Sequence, residues 1–312
     1  MRILVTGGAG FIGRHISDYF QDRAEVRVID NLRSGSKSNL SGLKCELIIG
    51  SILDRDLVRE AMKRVDFVFH LAAMVSVPGS VENPIEYAEI NARGTLIVLE
   101  EAARARAKKL IFSSSAAIYG DKPTIPKIET MPPEPKSPYA MSKYQGEQHC
   151  CAFTEEGRLA TVSLRYFNVF GPYQYPRRSE YAAVVPAFIE KAIRDEPISI
   201  FGDGSQTRDF IYVKDVVAAN AFFALQSQAT GIFNVARGKQ IRIADLALTI
   251  RKLTESSSMI EYGEARPGDI KDSVAGMDKI QKTGFRPLCD LTGGLRATVE
   301  FFRNGIEQGP HL

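Results

Sequence analysis

The chain is poor in the residues that would build a metal site or a disulfide scaffold. Its four cysteines, Cys45, the adjacent Cys150 and Cys151, and Cys289, have neither metal-ligand spacing nor framework density, so they read as reduced packing residues. The four histidines, His15, His70, His149 and His311, are dispersed, and no metal is expected. No uninterrupted apolar run reaches the ~18 residues of a membrane span, and glycines cut the N-terminal apolar stretch. A cytoplasmic protein with no membrane partner is the expectation. Neither charge sign dominates: 40 Lys and Arg stand against 37 Asp and Glu, with the basic residues scattered, so nucleic acid is not an implied partner. Internal repeats and low-complexity segments are absent. What remains is 312 residues, 44% hydrophobic, enough to bury a full core in one large domain or two lobes.

Hydrophobic spacing predicts strands over 2–6, 25–30, 45–49, 66–71, 109–113 and 160–167. Helices are predicted after Phe11 and over 54–64, 84–105 and 139–154. Such alternation implies a doubly wound parallel sheet of Rossmann type with helices on both faces. After Gly171-Pro172 the texture changes. A polar, aromatic loop through Arg177-Arg178 leads to a helix from Ala182 and strands over 198–201 and 209–213, then a helix over 213–225 and a strand over 231–236. The division expected is a dinucleotide-binding domain over 1–170, with 213–240 returning to it. A smaller, discontinuous substrate-binding lobe is assigned to 171–312.

Thr6-Gly7-Gly8-Ala9-Gly10-Phe11-Ile12-Gly13 follows the first strand and opens a helix. Glycines at these places let the backbone turn tightly and approach a pyrophosphate, whose charge the helix N-terminus stabilises. The next strand ends at Asp30, an acid suited to ribose hydroxyls and repulsive to a 2′-phosphate. NAD is therefore favoured over NADP, with Arg33 as a nearby cation that could still meet a phosphate.

Tyr139 and Lys143, four residues apart, share one face of a predicted helix. A phenol has a pKa near ~10, and a fixed positive charge beside it favours the phenolate, making a usable base. Upstream, Leu110-Ile111-Phe112 runs into Ser113-Ser114-Ser115 at a strand's carboxyl end, where ligands of such sheets lie. One of the three hydroxyls can meet a substrate oxygen, and others can serve the backbone.

The ordered blocks in this chain resemble the extended short-chain dehydrogenase/reductase family, and within it the nucleotide-sugar epimerases and dehydratases. They are the glycine loop, Asp30-Asn31, His70-Leu71-Ala72-Ala73, Asn91 with Gly94-Thr95, Ser113 to Gly120, and Tyr139 to Lys143. Further on come Arg165-Tyr166-Phe167-Asn168-Val169-Phe170-Gly171-Pro172, Gly202-Asp203-Gly204 with Thr207-Arg208-Asp209-Phe210, and Arg266-Pro267-Gly268-Asp269. The resemblance implies that Ser115 is the catalytic hydroxyl, Tyr139 the base, and Lys143 the residue that lowers its pKa and holds the nicotinamide ribose. Asn91 would be a structural support. NAD would lie against Gly7, Gly10, Phe11, Ile12, Gly13, Asp30, Asn31, Ser34, Gly35, Ser51, Ile52, Leu71, Ala72, Ala73, Asn91, Ser113, Tyr139, Lys143 and Tyr166. The substrate, a UDP-sugar, would meet Ser76, Ser115, Asn168, Val184, Val185, Arg208, Arg266, Asp269 and Ser273. Ser51 departs from the family's usual aspartate at the adenine.

Dehydratases and decarboxylases of this family need an acid just after the catalytic hydroxyl; Ala116 and Ala117 occupy those places and cannot transfer a proton. Reversible C4 epimerisation through a 4-keto sugar and bound NAD is the activity this implies. Ser273, where hexose-restricted epimerases carry a tyrosine, leaves volume for an N-acetyl group, so both UDP-glucose/UDP-galactose and their N-acetylated counterparts are expected substrates. A reductase or dehydrogenase on another nucleotide sugar is the enzyme alternative, and a non-catalytic nucleotide-binding module the other. A homodimer through the helices around 96–105 and 139–154 is also implied, and the apolar run Leu96-Ile97-Val98-Leu99 suits a buried surface.

Overall fold

The computed structural model describes residues 1–175, 183–265 and 271–307. Arg177, Arg178, Tyr181, Ala182, Arg266 and Asp269 lie outside the described residues. The chain begins with β1 (Arg2–Thr6), α1 (Phe11–Phe20), β2 (Glu25–Asp30), β3 (Cys45–Ile49), α2 (Arg55–Ala61) and β4 (Phe67–His70). Next come α3 (Val77–Glu82), α4 (Pro84–Tyr87), a π-helical turn Ala88–Arg93, α5 (Gly94–Arg104), β5 (Lys109–Ser115), α6 (Pro138–Glu155) and β6 (Thr161–Tyr166). The seven-stranded sheet is parallel, in the order Gly231–Val235, β6, β5, β4, β1, β2, β3. The expected Rossmann-type sheet is therefore present.

Alternation along the strands splits the core between the two faces. Ile3 and Val5 of β1 point to the side covered by α1 and the helix Val213–Leu225, where Ile16, Phe20 and Val216 are buried. Leu4 points to the other side, with Val58 of α2, Ile97 and Val98 of α5, and Phe153 of α6. Because β1 winds one way to β2 and β3, and the other way to β4, β5 and β6, the crevice between the carboxyl ends of β1 and β4 is the switch point where ligands bind such sheets.

A third core fills the lobe built from helices Val184–Ile193, Ile243–Thr254 and Leu291–Glu307, with Val185, Ile189, Leu246 and Leu295 at its centre. Its strands are short and paired in twos: Val169–Phe170 with Ile211–Tyr212, Thr207–Asp209 with Gln240–Arg242, and Ile198–Phe201 with Ile260–Gly263.

Two expectations are corrected. The single helix over 84–105 is interrupted by the π-helical turn, although no proline or glycine breaks its interior before Gly94. The strand over 209–213 is two strands, Thr207–Asp209 and Ile211–Tyr212, on either side of Phe210. Within the apolar run at 96–99, Ile97, Val98 and Leu99 are buried in the subunit's own core and Leu96 is half-buried.

Candidate active site

The nucleotide cradle follows from contacts that only glycine permits. Gly7 has φ +71°, and a Cβ there would stand 2.7 Å from the Ala72 nitrogen, across the crevice on the β4 side. A Cβ on Gly13 would come within 2.3 Å of the Gly7 carbonyl oxygen, so the first turn of α1 folds directly onto the loop. Gly10, the N-cap, gives α1 no side-chain cap, which leaves its first amides to a ligand. At the end of β2, the Asp30 carboxylate accepts from the Ala9 amide (2.9 Å) and the Leu32 amide (2.8 Å), and burial raises its pKa. Each oxygen keeps a lone pair for a ribose hydroxyl. Arg33 is paired with Glu86 of α4, a contact that opposes a role in holding a 2′-phosphate. Gly35 closes the cradle: a Cβ there would lie 2.8 Å from the Ala9 carbonyl. Asn31 and Ser34 are exposed beside it, and Phe11 and Ile12 are half-buried at the start of α1. These residues fit NAD.

Farther along the crevice, Ser51 shapes a turn, its hydroxyl accepting from the Leu53 amide (3.1 Å). The Ile52 side chain is buried beneath Gly94, where an added Cβ would approach its Cδ1 within 2.6 Å. Leu71, Ala72 and Ala73 are half-buried at the end of β4. Thr6 Oγ1 accepts from the Leu71 and Ala72 amides, so its own proton goes to Nδ1 of His70 (2.6 Å). Full burial brings the His70 pKa down to about 3, keeping the ring neutral. Its Nε2–H then donates to Thr95 Oγ1 (2.9 Å), whose proton goes to the Asn91 carbonyl (2.5 Å). The glycine loop is thereby wired to the π-helical turn. His70, unassigned by sequence reasoning, is a structural connector.

Asn91 sits in that turn. Its side chain takes the Met74 amide (2.8 Å) and donates to the Met74 carbonyl (2.9 Å) and to Ser142 Oγ (2.9 Å). Ser142 in turn donates to the Tyr139 carbonyl (2.8 Å), so Asn91 steadies the first turn of α6. That helix starts with Ser137 accepting from the Ala140 amide and Pro138 at its first position, a favourable N-terminus. Tyr139 is half-buried, and Lys143, one turn on, is buried.

The three serines of β5 divide the work. Ser113 bonds the Tyr166 hydroxyl (3.1 Å), itself held by Asn220, and gives its carbonyl to Lys143 Nζ (2.9 Å). Burial pushes the Tyr166 phenol up to about 12 and brings the Lys143 ammonium down to about 8. Ser114 donates to buried Glu147 (2.5 Å). Ser115, half-buried at the strand's end, accepts from the Ala117 amide (3.1 Å), which leaves its proton for a substrate oxygen. Glu147 was missed in sequence, though Tyr139, Lys143 and Glu147 fall at i, i+4 and i+8. Its partner Arg165 carried a signal too: an arginine inside the fully buried strand β6 needs a counter-charge.

On the lobe side, Asn168 (φ +23°) donates to the Asp209 carbonyl (2.9 Å), and Arg208 Nη1 donates to the Thr207 carbonyl (2.8 Å). Asp209 was also missed as a support. Its buried carboxyl accepts from the Arg237, Gly238 and Ala275 amides, and burial pushes its pKa up to about 6. Ser273 is half-buried, its amide bonded to the Thr207 carbonyl (3.2 Å). Val185 is buried in the lobe core with Val184 at the helix start, and Ser76, 2% exposed, caps α3 by accepting from the Gly79 amide (3.0 Å). Among the described residues no cluster of His, Cys, Asp and Glu is arranged to hold a metal, and no helix is long and apolar enough to cross a membrane.

The model of the NAD dependent epimerase/dehydratase family matches residues 3–236. This chain belongs to that family. It is accordingly an NAD-dependent enzyme of the epimerase type. A putative UDP-glucose 4-epimerase of Methanocaldococcus jannaschii is 37% identical over 305 residues, covering 97% of this chain and 98% of that one. Among solved structures, a UDP-N-acetylglucosamine 4-epimerase from Methanobrevibacter ruminantium, in complex with UDP-N-acetylmuramic acid, is 42% identical. It superposes with a TM-score of 0.93 over 99% of both chains. A UDP-glucose 4-epimerase from Thermus thermophilus, in complex with NAD, is 37% identical with a TM-score of 0.89, covering 97% of this chain and 99% of that one.

Proposed function

We propose that this chain is a UDP-hexose 4-epimerase that accepts both plain and N-acetylated hexoses. The observation that carries the reading is the company Ser115 keeps. Lys143 of α6 bonds the Ser113 carbonyl in the strand that Ser115 terminates, Tyr139 stands one turn earlier on that helix, and the two residues that follow Ser115, in the turn Ala116–Tyr119, are alanines. One phenol base with no second acid suits a reaction that takes a proton from one hydroxyl and returns it to the same carbon's oxygen. With alanines at 116 and 117, the acid that dehydration or decarboxylation would use just after the catalytic hydroxyl is replaced by a side chain that transfers no proton.

In this reading Ser115 binds and orients the C4 oxygen and Tyr139 removes its proton. Lys143, held against the Ser113 carbonyl, favours the phenolate electrostatically and binds the nicotinamide ribose. NAD held by the glycine loop and Asp30 would supply the hydride acceptor and donor for C4 and would not be consumed. Asn168 and Arg208, with Arg266 and Asp269 from outside the described residues, grip the diphosphate and uridine, arginine forks being suited to phosphate oxygens. Ser76, Val184 and Val185 line or back the same pocket. Ser273 leaves volume beside the sugar C2 substituent, and the structure of a UDP-N-acetylglucosamine 4-epimerase among the neighbours supports that choice. Residues 1–170 with 213–240 form the cofactor domain and the remainder the substrate lobe. The enzyme works in the cytoplasm as a homodimer through α5 and α6, and sedimentation as a concentration-independent monomer would remove the dimer.

Proton NMR tests the activity. Purified enzyme is given UDP-N-acetylglucosamine or UDP-glucose without added cofactor, and the galacto epimer of each should appear. Failure to convert either, with NAD supplied, would overturn the reading; stoichiometric build-up of reduced cofactor would turn it into a dehydrogenase.

A further inference from the structure

Behind the three serines runs a line of buried polar contacts that the chemistry does not use. Ser114 Oγ donates to Glu147 Oε1 (2.5 Å), and Arg165 grips the same carboxylate with Nε (2.8 Å) and Nη2 (2.7 Å). The pair is almost wholly shut from solvent, with side-chain exposures of 2% and 0%. Arg165 Nη1 is buried without a hydrogen-bond acceptor, and the guanidinium carbon lies 4.7 Å from the Tyr119 ring centre. The Tyr119 hydroxyl donates to Asn234 Oδ1 (2.7 Å). Asn234 Nδ2 then reaches the Lys127 carbonyl (2.8 Å) and the Gly276 carbonyl (3.3 Å).

The far end of this line is the segment that follows Ser273. The Lys127 amide donates to the Val274 carbonyl (2.8 Å) and the Gly276 amide to the Lys127 carbonyl (2.7 Å), so 274–276 is laced to residue 127 from both sides. Ala275 is fastened to Asp209 as well, beside Arg208. The near end is α6. Glu147 stands one turn beyond Lys143 and two beyond Tyr139, on the stripe that faces β5. Every member is buried, so each contact acts in a low dielectric, and loss of one leaves an unsatisfied group at its neighbour.

We propose that Ser114, Glu147, Arg165, Tyr119 and Asn234 form a positioning relay between the catalytic helix and the segment 273–276, so that the sugar pocket and the base share one rigid frame. None of the five touches the reacting atoms. The relay's bearing on sugar choice rests on the reading of Ser273 as a pocket residue, whereas its mechanical coupling does not.

Two measurements on the full chain with bound NAD keep these apart. Hydrogen exchange at the Lys127 and Gly276 amides reads the coupling. Ser114→Ala, at the α6 end, should speed both at least tenfold, Tyr119→Phe should do the same, and Ser114→Thr, which keeps the hydroxyl, should restore protection. Thr254→Ala, in helix Ile243–Thr254 and outside the relay, serves as a control for general loss of stability. The relay is overturned if Ser114→Ala leaves both amides at the wild-type rate, or if the control speeds them equally. The second measurement is kcat/KM for UDP-N-acetylglucosamine relative to UDP-glucose. Tyr119→Phe should shift that ratio at least fivefold, and an equal fall for both sugars would refute the bearing on sugar choice. A wild-type enzyme inactive on both would sink the epimerase reading, and the exchange data would still decide the coupling.

Discussion

At the carboxyl end of β5, Ser113, Ser114 and Ser115 lie in a strand bonded in register to β6, with α6 packed over it; Lys143 donates to the Ser113 carbonyl, Ser114 donates to Glu147, and Ser113 bonds the Tyr166 hydroxyl, all buried. Across the crevice, Asn168, Arg208 and Ser273 sit in or beside strands that pair over two or three residues. The first region repeats its restraints and the second spaces them out. Proton transfer loses its rate when a base is misplaced by about an ångström, so it belongs on the sheet. Recognition of a sugar substituent sits on shorter pairings, which the buried line from Glu147 to Asn234 ties back to the sheet.

That contrast orders the expected effects of substitution. Tyr139→Phe removes the base and should lower kcat by about 10³-fold or more, within or beyond the usual range for general base catalysis. Conversion followed by NMR, with circular dichroism to verify folding, checks it; residual activity within tenfold of wild type would assign the proton to another group.

Lys143→Met should cost about 10²-fold at pH 7 and change the shape of the pH profile. A phenol with no cation beside it has a pKa near ~10, so the variant's rate should rise almost tenfold per pH unit between 7 and 9. Burial also gives Lys143 a stability signature. Its folded pKa, about 8, lies below that of the unfolded chain. Between these values the unfolded state binds more protons, so stability rises with pH through that window. Lys143→Met should flatten the rise in Tm measured from pH 8 to 10.

Ser273→Tyr belongs to the second region. It should lower kcat/KM for the N-acetylated sugar by about 10–100-fold, the ~1–3 kcal/mol that pocket volume discriminates, and leave UDP-glucose turnover within about threefold. Loss of both substrates together would mean that Ser273 supports the fold rather than the pocket. The smallest effect concerns the cofactor rim. Arg33→Ala breaks a half-exposed pair with Glu86 worth about 0–1 kcal/mol, and should leave the NAD-dependent rate within twofold. A larger drop would place Arg33 on the cofactor.

The same contrast explains what could be read before the fold was seen. The cofactor half is written locally: glycines at Gly7 and Gly13 are required by close backbone approaches, and apolar strand runs alternate with helical spacing. The pair Tyr139 and Lys143 is legible because a helix makes i and i+4 neighbours. The π-helical turn that carries Asn91 left no trace, since it changes no periodic apolar position strongly enough to register. The strand expected over 209–213 divides because Asp209 and Ile211 take partners far away in sequence, Gln240 and Val169. Supports such as Glu147 with Arg165, and Asp209 with the Ala275 amide, join residues 18 and 66 positions apart. Pairings at that separation are set by tertiary packing, beyond what local spacing encodes.

In the proposed reaction Tyr139 and Ser115 serve a reversible oxidation at C4 rather than removal of a carbon-bound proton to water. UDP-glucose carrying deuterium at C4, incubated in ordinary water and examined by NMR after epimerisation, tests it directly. The galacto product should keep its deuterium at C4. Replacement of that deuterium by solvent hydrogen would contradict it.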